Sequence, residues 1–224
     1  MAAGKVGATS APGRRRGRPG YDRESLLAVA VAVFNERGYD GTSMEDLSRR
    51  LGIAKSSIYH HVNSKEELLR LALDRALDGL FAVADQARAM TVPPNPPAPP
   101  AIDRLEFLVR GSVRVLADRL PYVTLLLRAK GNTATERRAL SRRREFDQII
   151  ADLVKQAARD GDIRPDIDPS ISARLLFGMV NSLAEWYRPG GSGNADDLAA
   201  AVCAISFDGL RIRRDSRDEH PALS

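Results

Sequence analysis

Between Thr42 and Leu69 the chain reads TSMEDLSRRLGIAKSSIYHHVNSKEELL, a spacing that fits two short helices about a glycine turn with a third helix directly after them. Thr42 with Glu45 three residues on has the form of a capping box, so the first of these helices is expected to begin near Ser43. Met44, Leu47 and Leu51 recur at intervals of three and four on one face, leaving Glu45, Asp46, Arg49 and Arg50 on the other. Gly52 stands where a left-handed residue ends a helix without a Cβ penalty. The second helix is expected from about Lys55 to Val62, with Ile58 and Val62 turned to a shared core. Asn63 or Ser64 caps the third, and Glu66 and Glu67 fall in its first turn, where the helix dipole favours acids.

The face left outside on the second helix carries Lys55, Ser56, Ser57, Tyr59, His60 and His61 and no bulky apolar residue. Ammonium, hydroxyl, phenol and imidazole groups all suit phosphate oxygens or base edges. The arrangement is the sequence form of a helix-turn-helix that lays its second helix in the DNA major groove. Lys65, at the start of the following helix, suits a phosphate and positions the protein without reading bases.

On these residues the stretch FNERGYDGTSMEDLSRRLGIAKSSIYHHVNSKEEL, 34–68, resembles the DNA-binding domain of the TetR family of bacterial transcriptional regulators. The resemblance implies an all-α fold of about nine helices: an N-terminal three-helix helix-turn-helix domain and a C-terminal helical ligand-binding and dimerisation domain. It places Thr42, Lys55, Ser56, Tyr59, His60 and Lys65 on positions that commonly touch the operator. The chain departs from the family at Tyr59, His60, His61 and Val62, where two aromatic residues and then Phe are frequent.

The formal charge of +5 is confined to one place, because residues 1–20 hold Lys5, Arg14, Arg15, Arg16 and Arg18 and no acid. This Gly, Pro and Ala rich leader is expected to lack a fold of its own. Arg16-Gly17-Arg18-Pro19 resembles the core of an AT-hook, whose extended arginines enter a narrow A·T minor groove. A solvated tail adding only nonspecific phosphate attraction is the other reading. The longest apolar run, Leu26 to Phe34, is too short to span a bilayer, and no apolar signal stretch opens the chain. Cys203 is the single cysteine, which excludes an internal disulfide and a multi-cysteine zinc site. A cytoplasmic, reducing setting is expected.

Helices are expected over 23–37 and 65–90, and then, beyond the helix-breaking TVPPNPPAPP connection at 91–100, over 102–119, 121–130, 135–160, 169–188 and 195–213. The organisation expected is a basic arm at 1–20, a helix-turn-helix domain at 21–66, a ligand-binding and dimerisation domain at 67–214 and a flexible tail at 215–224. Two-fold readers need a fixed spacing between copies, so a homodimer is expected. The last two helices offer Leu176, Gly178, Val180, Leu183, Tyr187, Leu198, Val202, Ile205 and Leu210 for its interface, with the subunit core as the alternative use.

A cavity among the middle helices is expected from Phe107, Leu108, Tyr122, Leu125, Leu126, Phe146 and Met179, with Ser112 and Ser182 to orient a ligand and Trp186 to cap it. Arg137, Arg138, Arg142, Arg143 and Arg144 crowd one helix start, while Arg110, Arg114 and Arg128 lie in the two helices before it. Arg110 and Arg142 are the two expected at the ligand, since guanidinium forks suit phosphate. An apolar chamber beside such forks points to an acyl-coenzyme A thioester, the alternative being a solvated basic face paired to Glu136 and Glu145. The segment DGDIRPDIDPSISARLLFGMVNSLAEWYRP, 160–189, is also similar to regulators of fatty-acid, steroid or aromatic-acid degradation, some of which respond to coenzyme A thioesters.

No P-loop, dinucleotide fingerprint or nucleophile elbow is present, and no base, nucleophile and acid cluster in the sequence. His60 and His61 are adjacent and diverge by about 100° on a helix, so they cannot share a metal. The chain is therefore read as a ligand-responsive DNA-binding repressor with no cofactor and no metal. A DNA-architectural protein without an effector is the next reading, and an enzyme the last.

Overall fold

The computed structural model describes residues 22–90, 99–191 and 193–210, which leaves Arg16 and Arg18 outside the described residues. Nine α-helices, and no strand, are formed among the described residues: α1 Arg23–Arg37, α2 Met44–Leu51, α3 Lys55–Tyr59, α4 Lys65–Ala89, α5 Ala101–Asp118, α6 Leu120–Arg128, α7 Ala134–Arg159, α8 Pro169–Trp186 and α9 Ala195–Leu210. Each departs by a few residues at most from its expected span. Helix α3 is shorter than expected, its backbone leaving the helix after Tyr59, although Val62 still packs inward.

The helix starts follow from side chains that satisfy first-turn amides. Asp22 accepts from the Ser25 amide at 2.7 Å, and Ser64 from the Glu67 amide at 3.0 Å. Thr133 and Glu136 form a capping box on α7, and Glu136 also accepts from the Lys130 amide at 3.2 Å. For α2 the box is one residue later than expected. The Ser43 hydroxyl accepts from the Asp46 amide and donates to the Asp46 carboxylate at 2.6 Å, and this hydroxyl, together with the Ser43 amide donating to the same carboxylate, pulls the Asp46 carboxyl down to about 2. Gly52 then ends α2 in the left-handed region at φ 66°.

Helices α1, α2 and α3 make a small head around Leu26, Phe34, Leu47 and Ile58, and its core runs without a break into that of the body. In the body α5 is central, packed on α4, α7, α8 and α9, while α4 also packs on α6 and α7. Head and body meet along α4 and along α6, which packs on α1. The buried apolar side chains drive this assembly, each full Leu or Phe burial contributing about 1.5–3 kcal/mol.

The closest helix approach set by a glycine is between α4 and α5. A Cβ on Gly111 would stand 2.4 Å from Cγ1 of Val83, a stiff β-branched side chain that cannot swing aside. Gly111→Val is therefore expected to lower stability by about 2–3 kcal/mol through overpacking, and Val83→Ala in the same chain to recover part of it. Paired denaturant titrations check this. Equal stability of Gly111→Val and the unmodified chain would contradict the close approach.

Candidate DNA interface and effector chamber

The α3 face holds its polar groups outward. Ile58 and Val62 are buried, while Lys55, Ser56, Tyr59 and His60 are exposed and Ser57 is half-buried. Ser56, Ser57, Tyr59 and His60 make no side-chain hydrogen bond within the described residues, so they are free to meet phosphate or base edges. Lys55 is paired with Glu45 of α2, and that contact raises the ammonium pKa while lowering that of the carboxyl. At an exposed surface such a pair exchanges readily for phosphate.

Two expected DNA contacts turn out to be committed elsewhere. Thr42 is 2% exposed and its hydroxyl donates to the Gly38 carbonyl at 2.8 Å, so the side chain locks the α1–α2 turn and is closed to DNA. The Lys65 ammonium donates to the Tyr39 carbonyl at 2.9 Å and the Thr42 carbonyl at 2.8 Å, and lies 4.1 Å from the Tyr39 ring centroid. It clamps the start of α4 to the turn, and its charge is satisfied by protein before any phosphate arrives.

A small cavity of about 30 Å³ lies among α4, α5, α6, α7 and α8, with Leu80 of α4 in its wall. Of the residues expected at a ligand, Ser112, Leu126 and Phe146 line it. The sequence pattern alone missed Leu116, Val123, Phe177 and Asp147, which share that lining. Phe177 lies one turn before Asn181 and Asp147 directly follows Phe146, and both of those neighbours line the same cavity. A groove of about 500 Å³ opens between α7 and α8 and shares Arg143, Asp147, Phe177 and Asn181 with the cavity. Asp147 is exposed by area yet crowded within that concavity, and burial pushes its carboxyl upward while Arg143 beside it pulls the other way.

The remaining expected ligand residues do other work. Leu108 is core, and Phe107 packs half-buried against it. Leu125 faces the cleft between α6 and the head, and Tyr122 lies beneath the Arg75 guanidinium at 5.0 Å. Arg110 is paired to Glu106 at 2.8 Å. Arg142 is bound to Asp74 at 3.0 Å and Asp78 at 2.9 Å and sits 5.1 Å from the Phe81 ring centroid, so it ties α7 to α4 and has no free fork. The Met179 sulfur accepts from Ser206, Ser182 is exposed and donates to the Met179 carbonyl, and Trp186 is exposed.

The expected interface residues divide in the same way. Leu176, Val180, Leu183 and Val202 are buried in the subunit's own core, where no second copy can reach them; Tyr187 and Leu198 pack against that core. The apolar residues facing out are Ile171, Leu175 and Trp186 of α8 and Ile205 of α9, between 52% and 68% exposed. Gly178 shares this outer face, with nothing within 4 Å of a Cβ built on it. The Leu210 side chain lies outside the described residues.

Among the described residues no group of His, Cys, Asp and Glu is placed to hold a metal ion, and no helix is long and apolar enough to cross a membrane. If Tyr59 reads bases, Tyr59→Ala is expected to weaken operator binding about 10- to 100-fold and to leave binding to unrelated DNA within about twofold. Fluorescence anisotropy on both DNAs checks this. An equal loss on both would reduce Tyr59 to a phosphate contact.

Residues 26–72 match the family model described as bacterial regulatory proteins of the tetR family, and residues 98–210 the tetracyclin repressor-like C-terminal domain. The HTH-type transcriptional repressor KstR2 of Rhodococcus jostii is 31% identical over 191 residues, 84% of this chain and 90% of the relative. A TetR-family regulator of Streptomyces coelicolor A3 has a solved structure at 54% identity and TM-score 0.75, covering 84% of this chain and 91% of that one. KstR2 of Mycobacterium tuberculosis, described as a ketosteroid transcriptional regulator, superposes at TM-score 0.75 with 27% identity, covering 89% of this chain and 100% of the other. AibR, solved in complex with isovaleryl coenzyme A and operator DNA, shares the fold at TM-score 0.67 and 24% identity, over 83% of this chain and 97% of its own. A helix with an open polar face within the residues that one family model matches, carried on a helical body that the other family model matches, leaves one conclusion: the chain belongs to the TetR family of DNA-binding bacterial transcriptional regulators.

Proposed function

We propose that the protein is a homodimeric repressor released from a palindromic operator by an acyl-coenzyme A thioester. The observation that carries this reading is the continuity of packing between the cavity and the reader. Phe177 of the cavity wall meets Phe146 edge to face at 5.7 Å, and Phe146 meets Phe81 of α4 at 5.9 Å. Arg142 covers Phe81 and grips α4 through Asp74 and Asp78. On the other side α6, whose Val123, Leu126 and Leu127 line the cavity, holds α1: Asn35 Nδ2 donates to the Pro121 carbonyl at 2.8 Å, and Arg128 to the Asn35 carbonyl at 3.0 Å. An acyl group that enlarges the cavity displaces α6 and α7 together, and both are tied to the helices that carry α3.

The apolar outer face of α8 and α9 supplies the seam between copies, and the seam sets the distance between two readers. Major-groove half-sites recur about 34–36 Å apart, so a tilt of α4 in each subunit is enough to spoil simultaneous docking. The effector shifts this equilibrium only by its preference for the wrong spacing. The AibR complex supports the reading at the level of the fold, because it shows this architecture holding a coenzyme A thioester and operator DNA.

Two measurements test the proposal. In solution the mass should be twice the 24.4 kDa of one chain, and Leu175→Glu should return it to a monomer of reduced operator affinity; a monomeric unmodified protein would refute the dimer. On an operator selected from random DNA, a panel of short, branched, aromatic and steroid-derived acyl-coenzyme A esters should include at least one that weakens binding about 5- to 150-fold, the usual span of such coupling. An operator complex indifferent to the whole panel rejects the thioester.

A further inference from the structure

We propose that the groove between α7 and α8 holds the phosphorylated end of the effector, with Arg143, Arg144 and Arg174 as its phosphate ligands, and that only the acyl end acts on the switch. This rests on the thioester reading and adds to it a site and a division of labour.

The arginines of the body sort into two kinds. Arg110, Arg114, Arg128, Arg137 and Arg142 each donate to a named carboxylate or carbonyl and are structurally committed. Arg138, Arg143, Arg144, Arg159 and Arg174 donate to none of the described residues, and three of these, Arg143, Arg144 and Arg174, line the same groove. Lys155, only loosely paired to Asp152 at 3.8 Å, is the fourth cation of that lining, against the single carboxylate of Asp147. Three uncommitted guanidinium forks converging from two helices are poorly explained by solubility, since like charges held together repel. A polyanion with several phosphate oxygens relieves that repulsion, each fork donating two parallel N–H bonds.

The dimensions assign the two ends of the ligand. The groove, about 500 Å³, is of the size of ordinary ligand clefts and can seat a phosphorylated nucleotide. The cavity beyond it, about 30 Å³, has room for about one water and is walled by Leu116, Val123, Leu126, Phe146 and Phe177. Arg143, Asp147, Phe177 and Asn181 form the neck between them. The phosphorylated end therefore docks on the packing as it stands. An acyl group passing the neck must displace Phe177 and Phe146, the first members of the aromatic chain that leads to Arg142 and α4. Affinity comes from the groove and conformational work from the cavity, so coenzyme A without an acyl group is a competitor and not an inducer.

Calorimetry with coenzyme A, and with the N-acetylcysteamine thioester of an acyl group that releases the operator, tests this on the full chain. Coenzyme A should bind one molecule per chain, more weakly as salt rises, and should oppose thioester-driven release without releasing the operator itself. The triple variant R143Q/R144Q/R174Q should lose about tenfold or more in coenzyme A affinity and keep its affinity for the truncated thioester. R143K/R144K/R174K should recover part of the loss, because charge returns without the fork. A helical circular dichroism spectrum and an unchanged melting temperature establish that the variants are folded. No heat with coenzyme A, or equal binding by the glutamine variant, overturns the groove. Operator release by the full acyl-coenzyme A ester that is as strong in the glutamine variant as in the unmodified chain also overturns it and leaves the proposed function standing. Arginine-dependent coenzyme A binding without operator release by any ester upholds the groove and rejects the effector.

Discussion

Helix α4 is the member on which both halves of this molecule hang, and two cations fix its position. At its first residue Lys65 reaches back to the Tyr39 and Thr42 carbonyls and lies over the Tyr39 ring, which makes the reader head and the helix start one unit. Two to four turns later Arg142 binds Asp74 and Asp78 and covers Phe81, which makes the middle of the helix one unit with α7. At about 1.5 Å per residue, 25 residues make a beam roughly 37 Å long. A small rotation about the Arg142 attachment becomes a larger displacement at the Lys65 end. Near that end Thr135 donates to Glu66 at 2.8 Å and Asn132 to Asp40 at 3.1 Å, exposed hydrogen bonds of the kind that exchange with water at little cost. The head is thus firmly held to α4 and lightly held to α7.

The same distinction separates the arginines of α7 by what they hold. Isolated surface ion pairs contribute little, typically below about 1 kcal/mol. Arg142 differs because its side chain is only 25% exposed, grips two carboxylates and stacks on a ring, so its loss would leave Asp74 to Arg70 alone and untie α7 from α4. Arg143, one residue on, is turned about 100° round the helix and faces the α7–α8 groove instead. Helical phase alone therefore sends one arginine to the α4 carboxylates and its neighbour to the groove, the place where the proposed function needs a phosphate ligand.

Much of this was legible in the chain, and the failures share a cause. Helix starts were readable because capping is local, yet Thr42–Glu45 and Ser43–Asp46 are competing boxes of the same spacing. The choice went to Ser43 because Thr42 is buried beneath the turn with its hydroxyl on Gly38, a tertiary fact invisible at that spacing. Helix α8 is apolar over most of its surface, so periodicity could not separate the seam facing the subunit core, Leu176, Val180 and Leu183, from the outward seam of Ile171, Leu175 and Trp186. Lys65 and Arg142 were legible as cations at useful positions. Their partners, 23 to 68 residues away along the chain, were not.

For the proposed acyl-coenzyme A switch, coupling through such a body also has to be cheap enough to reverse. The cavity wall is the packed end of the Phe81–Phe146–Phe177 chain, where each edge-to-face pair contributes about 0.5–1.5 kcal/mol beyond its buried area. Opening it for an acyl group costs those contacts but gains burial of the acyl methylenes at about 0.8 kcal/mol each. The two terms are of one size for a chain of a few carbons, which sets the minimum acyl length able to hold the cavity open. A shorter group lacks the apolar surface to offset the rings, whereas a longer one gains more than the wall loses and leaves a surplus to bias α4. On the proposed reading, discrimination among acyl groups follows from the work done on Phe146 and Phe177, with the groove contributing the same affinity to every thioester.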